Sequence, residues 1–201
     1  MGAAGQPTLQ EAAAGLMAGQ PSIFPTDTVY GLGVAVGFAP TPELLYDIKE
    51  RDHGKPVAWL VGSLDDLGRY GQGVPEYAFG LARAFWPGPL TLIVKAAPAV
   101  PAAFRSADQT IALRMPDNET ALGLIRQVGV PLATTSANIS GQKPPQAFDG
   151  LDKRLLEKVA LAIRDDTAKS GVASTVVDCT GQRPAIVREG GIPAAEVQAF
   201  G

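Results

Sequence analysis

From Thr8 to Arg188 the chain alternates helix-like and strand-like segments, with no internal repeat and no low-complexity tract. That alternation is the strongest restriction on its fold, because strands interleaved with helices bury their apolar faces by forming a sheet with helices packed on it. Thr8 and Glu11 have the spacing of a capping box, and Leu9, Ala13, Leu16 and Met17 make an apolar helical stripe that ends near Gly19. Further helices are expected over 41–51, 76–86, 119–128 and 151–159. Strands are expected over 22–24, 29–36, 57–61, 90–94, 111–114, 132–135, 161–164, 175–178 and 185–188. Irregular spacing and proline interruptions point to a mixed, twisted sheet rather than a regular doubly wound one.

With 201 residues, the chain is long enough to bury roughly 70% of the surface its unfolded form exposes. The longest interruption, around 71–75, is too short to link two cores, so one α/β domain over 1–201 is expected. Cys179 is the single cysteine and His53 the single histidine, which excludes an internal disulfide, a cysteine or histidine metal cage and a histidine-centred triad. Cys179 reads as a small buried hydrophobe and His53 as a loop residue. No basic segment leads into an apolar stretch at the N-terminus, and no apolar run approaches the ~20 residues of a membrane span, so a soluble, cytoplasmic protein with no membrane partner is expected. The net charge of −3, with acids and bases interspersed, does not supply a footprint for a nucleic-acid duplex.

Four constellations carry possible chemistry. Lys49 and Arg51 at a helix end, with Lys55 in the loop after it, either complement the helix dipole or converge on an anion such as a polyphosphate. Thr134-Thr135-Ser136-Ala137-Asn138-Ile139-Ser140-Gly141 follows an apolar strand, where its hydroxyls and amide either cap a helix or line an oxygen-rich ligand at a strand end. Pro25-Thr26-Asp27-Thr28-Val29-Tyr30-Gly31-Leu32-Gly33 is either a turn or a recogniser of a small polar zwitterion. Arg114 and Arg188 sit on strands, either paired on an outer face or turned to a ligand. No acid pair and no nucleophile–base pair emerges; cations, amides and hydroxyls suit catalysis by positioning and charge neutralisation, as at phosphorus.

Together with Trp86 to Ile93, Ala112 to Pro116 and Ser174 to Asp178, these motifs in this order resemble the YrdC-type threonylcarbamoyl-adenylate synthases over nearly the whole chain. The resemblance implies a single twisted α/β domain with a large concave cavity, and a nucleotidyltransferase joining L-threonine, bicarbonate and ATP into threonylcarbamoyl-AMP and pyrophosphate. Lys49, Arg51, Ser136 and Asn138 match the catalytic signature. Arg51, Lys55, Thr110, Ser136, Asn138, Ser140 and Arg188 match nucleotide-binding positions, and Thr28, Tyr30, Arg114, Thr134 and Ser174 match threonine-binding positions. Departures are Asp52, where a proline commonly follows the arginine, Lys143-Pro144-Pro145 after the serine-rich loop, and Glu189 after the last strand arginine. Ending at Gly201, just past the last motif, the chain resembles the short form of the family.

The implied chemistry brings an anionic carbamate to the α-phosphorus of ATP, so Arg51, Lys55 and Arg188 are expected to neutralise repulsion and Arg114 to hold the threonine carboxylate bidentately. Mg2+ is expected to come with ATP, held by phosphates and water and by no protein cage. The implied partners are downstream tRNA threonylcarbamoyl-transferase proteins acting at tRNA position 37, with tRNA itself met only weakly or indirectly. The alternative is a paralogue of the same fold acting as an adenylate hydrolase or a double-stranded RNA-binding module.

Overall fold

The computed structural model describes residues 7–50 and 57–201. Arg51, Asp52, His53 and Lys55 lie outside the described residues, and so do the roles expected of them.

Among the described residues, nine strands form one mixed sheet: β1 (Ser22–Phe24), β2 (Gly31–Ala35), β3 (Ala58–Leu60), β4 (Leu90–Lys95), β5 (Thr110–Arg114), β6 (Leu132–Ser136), β7 (Leu161–Ala162), β8 (Thr175–Asp178) and β9 (Ala185–Arg188), in the order β7-β1-β2-β6-β3-β5-β4-β8-β9. The β1–β7, β3–β5 and β4–β8 pairs are parallel and the others antiparallel, the mixed pairing expected from the sequence. The helices are α1 (Leu9–Met17), α2 (Glu43–Lys49), α3 (Asp65–Tyr70), α4 (Glu76–Phe85), α5 (Glu119–Val128), α6 (Lys153–Leu156) and α7 (Ala194–Gln198). The capping box forms: Glu11 N donates to Thr8 Oγ1 at 3.2 Å and Thr8 N to Glu11 Oε2 at 2.7 Å.

Strand alternation sorts the core into two layers. Ile23, Leu32, Val34, Trp59, Leu92, Leu113, Ala133 and Val177 face one way and pack with Leu45 and Ile48 of α2, Leu67 of α3 and Leu81 of α4. The opposite face carries Phe24, Ala35, Leu60 and Leu132, which pack under α1 and α5 through Leu16, Leu124 and Ile125. The two helices cover only part of that second face. By register, Ser136, Thr134, Ala58, Ala112, Thr110, Ile93 and Val176 continue it, and all but Thr134 are partly exposed although they sit on interior strands. Interior strands flanked by neighbours on both sides are ordinarily buried on both faces once helices cover them, so partial exposure here marks an open concavity floored by small side chains.

Several boundaries differ from the sequence-based expectation. The strand expected from Val29 begins only at Gly31, because Tyr30 N turns out of the ladder to donate to Pro145 O at 3.0 Å. The helix expected over 151–159 contracts to α6, preceded by a 3-10 turn at Phe148–Gly150. The chain then has to turn back to β1, with Ala160 N bonded to Pro21 O at 3.0 Å. Helix α3 was not anticipated; its start is set by Asp66 Oδ2, which accepts from Gly62 N at 3.0 Å and Ser63 N at 3.1 Å. Helix α2 begins after Pro42 and ends at Glu50, a non-glycine residue at φ 53° and ψ 47° in the left-handed region.

Candidate functional site

The loop after β6 is built around Lys49. Its ammonium, 3% exposed, donates to the carbonyl of Ser136 and at 2.5 Å to that of Asn138, with Asn138 Oδ1 at 3.3 Å. Ser140 N returns a bond to Lys49 O at 3.0 Å, while Asn138 Nδ2 donates to Ile139 O at 2.9 Å and Gln142 O at 2.8 Å. Three carbonyl-type oxygens on one buried ammonium stabilise the charge by their dipoles. Lys49, Ser136, Asn138 and Ser140 are thus one structural unit. Lys49, read from the sequence either as a complement to the helix dipole or as one of three cations converging on an anion, holds the backbone of this loop through its ammonium.

A second cluster gathers residues from four distant parts of the chain. Thr26 Oγ1 donates to Val29 O at 2.7 Å and accepts from Thr28 N at 3.2 Å, closing the turn that presents Asp27 and Thr28. Arg114, at the end of β5, donates through Nη2 to Asp27 Oδ1 at 2.6 Å, through Nη1 to Thr28 Oγ1 at 3.0 Å and through Nε to Gly88 O at 3.1 Å. Ser174 Oγ bonds to Thr91 Oγ1 at 2.8 Å, and Arg188 donates through Nη2 to Ser174 O at 2.9 Å and Ser174 Oγ at 3.3 Å. Burial pushes the Arg114 guanidinium below its ordinary value, Asp27 pushes it back up, and Arg188 adds a second downward push by like charge. Burial lowers Arg188 as well. Among the described residues of this cluster two guanidiniums face one carboxylate, a surplus of positive charge that could meet an anion.

Tyr30, a threonine-binding position by the resemblance, is fully buried. Its hydroxyl donates to Asp165 O at 2.9 Å and accepts from Asp165 N at 2.9 Å, and its ring stands edge-on to Phe148 at 6.2 Å. Desolvation by burial raises the Tyr30 phenol. The hydroxyl expected to contact an amino acid therefore holds the loop after β7. Thr134 Oγ1 donates to Leu132 O at 2.9 Å. Across from it, a Cβ on Gly33 would lie 2.9 Å from both Thr134 Oγ1 and Phe24 Cζ, so these side chains fill the space that the glycine leaves. Thr110 pairs its hydroxyl with Ser106 Oγ at 2.7 Å and lines a small cavity of about 50 Å3 with Ile93 and Ala112. That cavity shares Val57, Phe104 and Ser106 with a larger one of about 320 Å3 beside Tyr46 and Glu43.

Thr28, Arg114, Ser174 and Arg188 are thus brought together, as are Lys49, Ser136, Asn138 and Ser140, while Thr110 stands on the open part of the sheet face and Thr134, on the same face, is buried against Gly33. Thr91 is not singled out by the sequence, although it lies inside a quoted motif four residues after Pro87, and Asp27 is read only as the carboxylate of the 25–33 motif, without a specific role. Sequence offers no sign of the Arg114–Asp27 bond, which spans 87 positions.

Comparison with known proteins gives this geometry a family. The family model Sua5/YciO/YrdC, described as "Telomere recombination", matches residues 15–190. A Mycobacterium tuberculosis protein called a putative threonylcarbamoyl-AMP synthase is 37% identical over 182 residues, covering 90% of this chain and 83% of that one. The threonylcarbamoyl-AMP synthase of Pyrococcus abyssi is 36% identical over 175 residues, which are 87% of this chain but 52% of that protein, so the chain spans about half the length of this curated relative. The crystal structure of P. abyssi Sua5 complexed with L-threonine superposes with a TM-score of 0.89 at 34% identity, over 96% of this chain and 56% of that one. With the model matching most of its length and the same sheet underlying the match, this chain belongs to the Sua5/YciO/YrdC family.

Proposed function

We propose that this chain is an L-threonylcarbamoyl-adenylate synthase, a nucleotidyltransferase that forms threonylcarbamoyl-AMP and pyrophosphate from L-threonine, bicarbonate and ATP in the cytoplasm. The observation that carries the reading is the surplus-cation cluster of Arg114 and Arg188 around Asp27, with Thr28 and Ser174 hydroxyls beside it. The names of the relatives and the L-threonine complex of P. abyssi Sua5 support it. The threonine carboxylate would meet Arg114 in a particular way. Three of the five guanidinium N–H groups are engaged by Asp27, Thr28 and Gly88, which leaves one N–H on each terminal nitrogen for the substrate, with Ser174 and Arg188 alongside.

In the proposed reaction the unprotonated amine of threonine attacks the carbon of bicarbonate or of the CO2 derived from it; a C–N bond forms, the amine gives up one proton, and with the hydroxide lost from bicarbonate it leaves as water, giving a carbamate. A carbamate oxygen then attacks the α-phosphorus, and pyrophosphate leaves. Both partners are anions, so cations that neutralise repulsion and stabilise the departing charge do most of the catalytic work. Arg51, Lys55 and Arg188 would serve the phosphates, and Ser136, Asn138, Ser140 and Thr110 would supply hydroxyl and amide contacts. Lys49 would act by fixing the Ser136–Asn138 backbone. A magnesium ion would come with the nucleotide, held by its phosphates and by water. No helix among the described residues is long and apolar enough to cross a membrane. The product would pass to tRNA threonylcarbamoyl-transferase proteins acting at position 37. Mass-spectrometric detection of threonylcarbamoyl-AMP from ATP, bicarbonate and threonine tests the reading. Its absence, together with salt-sensitive binding of double-stranded RNA, would overturn it in favour of an RNA-binding module.

A further inference from the structure

The loop between β7 and β8 contains a buried lysine that the proposed chemistry does not use. Lys169 is 8% exposed; its ammonium donates to Thr167 O at 2.9 Å and Asp165 O at 3.2 Å and lies 4.6 Å from the centre of the Tyr30 ring. Asp165 is itself bound through both backbone groups to the Tyr30 hydroxyl, and Asn118 Nδ2, at the cap of α5, reaches its carboxylate at 3.3 Å. Immediately after the lysine the same loop closes on the site: Ser170 N donates to Asp27 O at 3.0 Å and Gly171 N to Thr28 O at 2.9 Å. Asp27 and Thr28 are the residues whose side chains hold Arg114.

We infer that Lys169 is a positioning residue for the amino-acid end of the site: it straps the 165–171 loop onto the Tyr30 ring, so that the loop backbone holds Asp27 and Thr28 in place against Arg114. The inference rests on the threonine reading above. A flexible lysine stem can cross the loop while its ammonium gathers two carbonyls and an aromatic face, three favourable partners that a neutral chain of the same length lacks. Without that cation the 167–169 part of the loop loses its inner fastening, and the loop is left to the Tyr30 and Asn118 bonds at Asp165 and the backbone bonds to Asp27 and Thr28.

The test compares the parent protein with Lys169→Met, which keeps the stem, and Lys169→Gln, which keeps a donor, by steady-state kinetics, threonine calorimetry and amide hydrogen exchange. Lys169→Met is expected to raise the KM for threonine at least tenfold, to leave kcat and the KM for ATP within twofold, and to speed exchange at Ser170 and Gly171 with the central strands unchanged. Lys169→Gln is expected to recover part of each loss, and it carries the test if the methionine variant does not fold. An unchanged threonine KM, or a fall in kcat in parallel with faster exchange across the whole sheet, would overturn the strap. A parent protein that binds no threonine overturns the proposed function and the ligand assigned here, whereas a parent that binds threonine beside an indifferent Lys169→Met overturns the strap alone.

Discussion

The Lys49 ammonium and the Asn138 carbonyl oxygen stand 2.5 Å apart, joining the last residue of α2 to the loop after β6 across 89 positions of sequence. A lysine and an asparagine that read separately as ligands of a nucleotide are therefore first of all ligands of each other. Replacing Lys49 by methionine leaves the Ser136 and Asn138 carbonyls without their charged donor. It is expected to cost about 2 kcal/mol of stability and to abolish pyrophosphate release by loosening the loop. Chemical denaturation beside the activity assay checks both, and a stable, inactive variant would assign the lysine to the chemistry instead.

The Arg114–Asp27 pair is nearly enclosed, with side-chain exposures of 8% and 15%. Arg114→Ala strands the carboxylate in that enclosure and should destabilise the fold by about 3 kcal/mol. Arg114→Lys restores a charge without the fork that reaches Asp27, Thr28 and Gly88 together, so it should fold better than the alanine variant yet bind threonine poorly. Urea unfolding and calorimetry separate the two effects. Equal stability of both variants would show that charge contributes nothing here.

Gly33 faces Phe24 and Thr134 with no room for a methyl group. Gly33→Ala is expected to destabilise by about 2 kcal/mol through overpacking, and a second change of Phe24→Leu should restore part of the loss. Thermal unfolding of the single and double variants decides the matter; additive losses would mean that the ring is not what the methyl meets.

Burial pushes the Cys179 thiol from its ordinary 9.0 up to about 12, with the nearby Asp178 charge adding to the rise. The folded state therefore keeps its proton where the unfolded chain has lost it. The stability contributed is present in full below pH 9 and is lost as pH climbs towards 12. Unfolding followed from pH 8 to 11 should show a declining midpoint that is shallower in Cys179→Ala. Tyr77, raised to about 12 by desolvation first, contributes a residual slope in the same direction. Alkylation of the native thiol should be slow until the protein unfolds.

Amino-acid choice follows from the polar character of the proposed pocket. A site that hydrogen-bonds the substrate's own hydroxyl rejects a near-isostere lacking it by ~10⁴, while loss of one methyl costs only ~10 to 200-fold. The expected order is threonine, then serine, then valine, measured as competition for adenylate formation. Valine used as readily as serine would contradict the roles given to Thr28 and Ser174.

Much of this protein was legible in one dimension because the information was local. Short β-branched apolar runs marked β8 and β9, and the Thr8–Glu11 spacing marked the start of α1, since strand propensity and helix capping depend only on near neighbours. What the tertiary structure decided was the partner of each polar group. Arg114 finds Asp27 across 87 positions, Lys49 finds Asn138 across 89, and Tyr30 finds Asp165 across 135. A cation or hydroxyl buried during folding takes whatever acceptor the packed chain brings within about 3 Å, and that choice is made by strand order and loop closure, which no local pattern encodes. The side chains expected to await ligands are, for the same reason, partly spent on holding the site in shape.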